Sequence, residues 1–340
     1  MAGEPNNPPR LPRVPTAFFG AVLGLGGLAN GWRAAARIYG LPPTLGDVLA
    51  VVAFLVWATV AVLIAAKWAK ARPAARGELL HPVMGGFSAL IPIATMIAGV
   101  AMLPLVPLLA TAMLIVGIAG QIAFAAWFVG RLWMGGRGAE ATSPVLYLPT
   151  VGGCFVSAMA LAGLGVRDGA MMAFGAGFLS WLILEAVLWQ RLLHQAPLAV
   201  PLRPTMGIHL APPAVGLVAY EAATGGSADT LALILFGYAL LQTVVTLRLL
   251  PWLIEQPFAA SWWAYSFAVS ALPTGAMRLA EQGSPIAAHL APALFAMANL
   301  IIAGFVVRSL MLIAAGRYLP PAQPVAPAQS QSQSQSQSQS

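Results

Sequence analysis

Reactive side chains are few in this sequence, and they do not cluster. The four histidines, His81, His194, His209 and His289, fall in loops and in separate apolar runs. No His-Glu-x-x-His spacing sets two metal ligands and a base on one helix face. Asp47, Asp168 and Asp229 stand near the ends of apolar runs, so no carboxylate dyad lies inside one. The only lysines, Lys67 and Lys70, sit at a run's edge and offer no buried amine for a Schiff base. No Gly-Lys-Ser/Thr loop is present to cradle nucleotide phosphates. The single cysteine, Cys154, cannot form an internal disulfide and reads as a small buried hydrophobe. Neither catalysis nor a metal centre nor a cofactor is expected.

Two ionisable groups stand apart. Glu185 lies well inside an apolar run, where a carboxylate defaults to a functional role. It reads either as a proton relay or as a structural group, paired with an arginine or held neutral by hydrogen bonds. His209 reads either as lumen-facing or as a satisfied core histidine. The mid-run amides Gln121, Gln242 and Asn299 suit hydrogen bonding between helices.

The elements that must position these groups follow from composition. Of 340 residues, 59% are hydrophobic and 8% charged, and the mean hydropathy is +0.81. Soluble domains carry roughly 25% charged residues, so this chain cannot cover itself in water and needs lipid. Ten runs are long enough to span, at about 15–36, 45–68, 82–103, 105–132, 146–165, 168–190, 205–223, 228–250, 259–281 and 286–315. The links are short and leave no room for a soluble catalytic domain. The expected organisation is an N-terminal segment over 1–14, a membrane domain over 15–316 and a tail over 317–340. The tail is rich in Pro, Ser and Gln and is expected to be disordered. Residues 1–14 are polar and Pro-rich, and no cleavable signal peptide is visible.

Orientation follows from charge. With the N-terminus inside, the outer loops hold four of the 17 Lys and Arg residues, Arg33, Arg37, Arg167 and Arg278. The rest fall inside, which places both termini in the cytoplasm. The positive charge, spread over short loops, sets topology and is not a nucleic-acid signal.

Proline then separates two kinds of run. The odd runs hold Pro15, Pro92, Pro149, Pro212, Pro213 and Pro273, mostly internal. The even runs hold Pro107 and Pro292, each near a beginning. An internal proline frees backbone groups, which lipid tolerates only where protein or a wet cavity satisfies them. The odd helices are therefore expected inside and the even helices outside, as five hairpins around an axis. The odd runs are also rich in small residues, such as Gly20, Gly24 and Gly27, Gly85 and Gly86, and Gly152 and Gly153. These serve close helix packing or leave a lumen. Such a lumen carries almost no formal charge, which suits a permissive path for weakly hydrated anions better than a cation path.

Several blocks, in order over about residues 12–316, resemble the bacterial TehA tellurite-resistance proteins, also described as C4-dicarboxylate transporters and related to plant slow-type guard-cell anion channels. They are Pro15-Thr16-Ala17-Phe18-Phe19-Gly20 with Leu23-Gly24, and His81-Pro82-Val83 with Ala89-Leu90-Ile91-Pro92-Ile93. Tyr147-Leu148-Pro149, Phe174-Gly175-Ala176-Gly177 and Thr205-Met206-Gly207-Ile208 with Ala211-Pro212 follow. Leu247-Arg248 with Pro251-Trp252 and Trp263-Ala264-Tyr265-Ser266-Phe267 complete the set. The resemblance implies five helical hairpins with the odd helices lining a pore. It further implies a homotrimer with one pore per protomer and a phenylalanine plug on the ninth helix. The matching position is Phe267.

On that reading Phe267 is the gate, and Ser270, Ala271 and Thr274 continue a small, partly polar face above it. Phe19, Gly20, Leu23, Pro92, Pro149, Ala211 and Pro212 help shape the lumen. Pro273 is expected to break the ninth helix just above the gate. The expected activity is a gated channel for small anions of the chloride or nitrate class in a bacterial inner membrane. The alternative is a carrier of C4-dicarboxylates, sulfite or tellurite, coupled to protons through Glu185. The expected partners are these anions, membrane lipid and further copies of the chain, without nucleic acid.

Overall fold

The computed structural model describes residues 14–226 and 228–319. Most of the expected N-terminal segment, and the tail from 320 onward, lie outside the described residues. Within them the chain is all helical, with eleven α-helices and no strand. These are α1 (Gly20–Tyr39), α2 (Thr44–Lys70), α3 (Arg72–Leu80), α4 (Leu90–Met102), α5 (Pro107–Trp133) and α6 (Gly153–Gly163). Then come α7 (Arg167–His194), α8 (Met206–Thr224), α9 (Thr230–Leu253), α10 (Ser266–Glu281) and α11 (Pro285–Ala314).

Burial divides the long helices into two kinds. In α2, α5, α7, α9 and α11 only 22–28% of the most apolar stretch is buried within the chain. In Met84–Met102 the share is 83%, and in Pro144–Gly163 it is 67%. These seven segments are long and apolar enough to cross a membrane on length and composition alone. α1, α8 and α10 fall short of that measure although most of their residues are buried. The reason is visible in their sequences. α1 carries glycines and Arg33, α8 carries His209 and Glu221, and α10 carries Ser266, Ser270, Thr274 and Arg278. A helix enclosed by protein need not be apolar all round, whereas one facing lipid must be.

The buried helices touch in a closed circuit, α1 to α4, α4 to α6, α6 to α8, α8 to α10 and α10 back to α1. Each poorly buried helix packs on the buried helix joined to it by a short link. α2 lies on α1, α5 on α4, α7 on α6, α9 on α8 and α11 on α10.

Each member of the circuit opens on a segment that is not α-helical. Thr16–Phe19, Met84–Ala89, Val200–Thr205 and Ala260–Tyr265 are 3-10 turns, and Leu148–Gly152 is a π turn. Proline explains much of this. Pro15 caps the first turn, Pro149 lies in the π turn, and Pro201 and Pro204 lie in the third 3-10 turn. A residue without an N–H suits a first turn and disrupts a regular α ladder. At the π turn the Gln121 amide donates to the Pro149 carbonyl at 2.5 Å.

Pro273 does not break its helix. α10 runs unbroken from Ser266 to Glu281 through it, as α8 runs through Pro212 and Pro213. Side chains bond the α10 backbone nearby. The Ser270 hydroxyl donates to the Phe267 carbonyl at 3.1 Å, and the Thr274 hydroxyl donates to the Ser270 carbonyl at 2.8 Å. Packing by neighbouring helices lets a proline-containing helix stay regular inside a protein.

Glycine sets how closely α1 and α10 approach. A Cβ on Gly24 would collide with Ser266, one on Gly27 with Ser270, and one on Gly31 would meet Thr274 at 3.0 Å. At the start of the circuit a clasp fixes α2 and α3. The Glu78 carboxylate accepts from the Thr16 N–H at 2.8 Å and from its hydroxyl at 2.7 Å, and it pairs with Lys67. Lys67 also donates to the Val14 carbonyl at 2.9 Å. The lysine expected at an interface is therefore buried, and it is paired with a carboxylate as a buried charge must be.

Candidate functional site

Two small cavities lie inside the circuit, of about 40 Å3 and 30 Å3. Leu23 of α1, Leu148 of the π turn, Ile208 and Ala211 of α8, and Phe267 of α10 line both. The larger adds Ala17, Gly20, Phe87 and Ala260 toward the end where the circuit helices begin. The smaller adds Ile93, Tyr147, Phe155, Pro212 and Val215. None of the residues lining either cavity is charged. One water needs about 10–15 Å3, so each cavity has room for a very few. The Phe267 ring is 8% exposed and stands against both spaces. A narrow apolar waist of this kind resists wetting, and ions do not cross a dry constriction.

Of the residues that the sequence offered for the lumen, Phe267, Gly20, Leu23, Ala211 and Pro212 meet at these cavities. The others lie elsewhere. Pro92 faces a crevice that it shares with Gly117 and Phe124 of α5. Pro149 turns its carbonyl to Gln121 of α5. Phe19 is 1% exposed and lines neither cavity. Ser270 and Thr274 face the α1 glycines, and Ala271 is buried in the core around them. Sequence reasoning did not single out Leu148 or Val151 for the lumen, and it offered Gly152 only as a small residue that serves packing or leaves a lumen. The π turn brings all three to the smaller cavity.

Glu185 and His209 are brought together. The carboxylate of Glu185, on α7, accepts from the Tyr147 hydroxyl at 2.5 Å and the Trp181 indole N–H at 2.9 Å. It also accepts from the Trp189 indole at 2.9 Å and the Tyr238 hydroxyl at 3.0 Å. His209 Nε2 lies 3.8 Å from Glu185 Oε1, and the two aromatic rings of Tyr147 and His209 stack at 6.0 Å. No arginine takes part in these contacts. Four donors on one half-buried carboxylate compensate it without an arginine. Tyr147 lines the smaller cavity, so it links the carboxylate to that space.

A wider space of about 410 Å3 opens where the circuit helices end. All five contribute, through Asn30 and Arg37 of α1, Val100 of α4, Met159 of α6, Glu221 of α8, and Arg278 and Glu281 of α10. Arg37 pairs with Glu281 at 3.4 Å. Arg278 donates to the Val218 carbonyl at 3.4 Å. Glu221 is 3% exposed, and neither carboxylate oxygen has a hydrogen-bond partner among the described residues. Glu221 and Arg278 sit near helix ends, where charged residues are ordinary, and nothing in their spacing joins them as a pair.

Residues 13–310 match the family model described as SLAC1, voltage-dependent anion channel. The chain is 39% identical over 264 residues to a tellurite resistance protein TehA homolog of Haemophilus influenzae, across 77% of this chain and 80% of that protein. It is 27% identical over 187 residues to the S-type anion channel SLAH3 of Arabidopsis thaliana, across 53% of this chain and 28% of that protein. A second plant relative, the S-type anion channel SLAH2, is 24% identical over 294 residues, across 83% of this chain and 56% of that protein.

Proposed function

This chain belongs to the SLAC1 family of anion channels, and on that premise we propose that it is a gated pore for small anions such as chloride and nitrate. In this reading ten helices cross the membrane as five hairpins. The buried circuit α1, α4, α6, α8 and α10 surrounds the pore, and α2, α5, α7, α9 and α11 face lipid or neighbouring copies in a homotrimer. The protein sits in a bacterial inner membrane with both termini in the cytoplasm, as the Lys and Arg distribution favours.

The observation that carries the reading is the uncharged waist at Phe267, narrow on either side and closed by an aromatic ring. An acidic ring would favour cations and a fixed lumenal arginine would hold an anion too long, whereas this waist has neither. The test is a recording from the purified protein in planar bilayers under a chloride gradient. A reversal potential that follows chloride supports the pore. One that follows the cation would sink it.

A carrier of C4-dicarboxylates, sulfite or tellurite is the second reading. The contact of Tyr147 with both Glu185 and the cavity favours it, since it connects a protonatable group to the path. If protons move with the anion, Glu185→Gln removes the pH dependence of uptake into vesicles. Uptake whose pH profile is unaltered in a well-folded Glu185→Gln protein rules out the relay.

A further inference from the structure

The wide space at the far end of the circuit holds an ion pair that is made and one that is not. Arg37 and Glu281 are joined at 3.4 Å. Arg278 has a single weak bond to a carbonyl at 3.4 Å and no carboxylate within ion-pair distance among the described residues. Glu221 lines the same space, is 3% exposed, and has no donor on either oxygen. Buried polar groups are nearly always satisfied, so an orphaned carboxylate in the wall of a cavity needs a reason.

We propose that this vestibule holds a proton-linked anion site, in which the Arg278 guanidinium binds a small monovalent anion while Glu221 carries a proton. The proposal rests on the anion-pore reading and adds a site to it. The chemistry is simple. An ionised Glu221 repels an anion at Arg278 and competes with it for the guanidinium. A protonated Glu221 removes that repulsion and offers an O–H to the same anion. The proton comes from bulk water as the anion arrives and returns when it leaves, so no other reactant is needed. With Glu221 protonated the space holds two arginines against one ionised glutamate, which disfavours a cation.

The charged groups facing Glu221 are accounted for. Arg278 and Glu281 come from α10 and Arg37 from α1. α4 and α6 present Val100, Met159, Ala162 and Gly163, none of which titrates. Arg167, at the start of α7, approaches Gly225 at the rim. Asp229, ahead of α9, accepts from the Tyr220 hydroxyl at 2.5 Å. Glu281 is already paired with Arg37, which leaves Glu221 as the group whose charge changes the field at Arg278.

The test is equilibrium binding, which does not depend on whether the pore conducts. The thermal midpoint of the purified protein is followed as chloride replaces gluconate at fixed ionic strength, from acid to alkaline pH. A ligand that binds the folded state raises that midpoint. In the wild type the apparent chloride affinity should weaken by up to about tenfold per pH unit once Glu221 ionises, as linkage requires. In Glu221→Gln the affinity should stay high and lose its pH dependence. Arg278→Gln should lose the chloride effect, and Arg278→Lys should keep part of it. A measurement on the wild type alone stands if these variants fold poorly. Chloride added to a weakly buffered sample at alkaline pH, where free Glu221 is ionised, should drive proton uptake, approaching one per chain. No proton uptake, or the same pH dependence in Glu221→Gln, overturns the site. Proton-linked binding in a protein that passes no current would leave this site standing and sink the pore.

Discussion

Phe267→Ala is expected to raise anion conductance at least tenfold over the wild type in planar bilayers. The ring stands against both small cavities, which share Leu23, Leu148, Ile208 and Ala211 as walls. Truncation to a methyl group joins them and removes the apolar surface that keeps the waist dry. Lowering a barrier by about 1.4 kcal/mol is enough for a tenfold rate, and removing a steric block should exceed that. The walls supply no obvious replacement, because α10 approaches α1 through glycines, and a Cβ on Gly27 would lie 3.8 Å from the Phe267 ring. The substitution also costs stability, since truncating a buried Phe typically removes about 3–5 kcal/mol. The thermal midpoint and assembly state must therefore be measured beside the current. Phe267→Leu should fall between wild type and Ala, because it keeps bulk without the flat ring. A folded Phe267→Ala protein that stays as silent as the wild type would reject Phe267 as the gate.

Much of the inner architecture was legible because lipid and protein surroundings select different residues. Internal prolines and glycines marked α1, α4, α6, α8 and α10, and burial separates these from their apolar partners. What the sequence did not carry was direction. Ser270 and Thr274 share a face by spacing, but spacing does not say which neighbour that face meets, and they meet the α1 glycines. Proline marks where regular helix is interrupted, not which side looks inward: Pro92 borders a crevice with α5, and Pro149 gives its carbonyl to Gln121 of α5. The π turn shifts the register of Leu148–Gly152, and a 3.6-residue period cannot foresee that. Around Glu185, Trp181 and Trp189 stand four residues away on its own helix, a spacing that could have found them but was not used. Tyr147, Tyr238 and His209 come from other helices and were not legible.

Gly207→Ala is expected to destabilise the protein strongly, because the obstacle that its methyl group meets is main chain. A Cβ at Gly207 would lie 2.5 Å from the Tyr265 nitrogen and 2.7 Å from the Ala264 carbonyl carbon. At Gly27 the colliding atom is a serine hydroxyl, which can turn away. At Gly207 the first turn of α8 rests directly on the Ala260–Tyr265 turn, and one of the two must move. Helix propensity alone predicts the opposite sign, since Ala favours a helix interior over Gly by about 1 kcal/mol. Overpacking usually costs about 1–3 kcal/mol, and more when backbone must shift, so the collision should win. Gly237→Ala is the matching control. Nothing lies within 4 Å of its added methyl, and it should leave the midpoint unchanged or raised. The displaced turn ends two residues before Phe267, so a surviving Gly207→Ala protein should also leak anions, through a ring moved from its seat. A Gly207→Ala protein that melts with the wild type and stays closed would mean that α8 and the turn before α10 do not touch in the membrane.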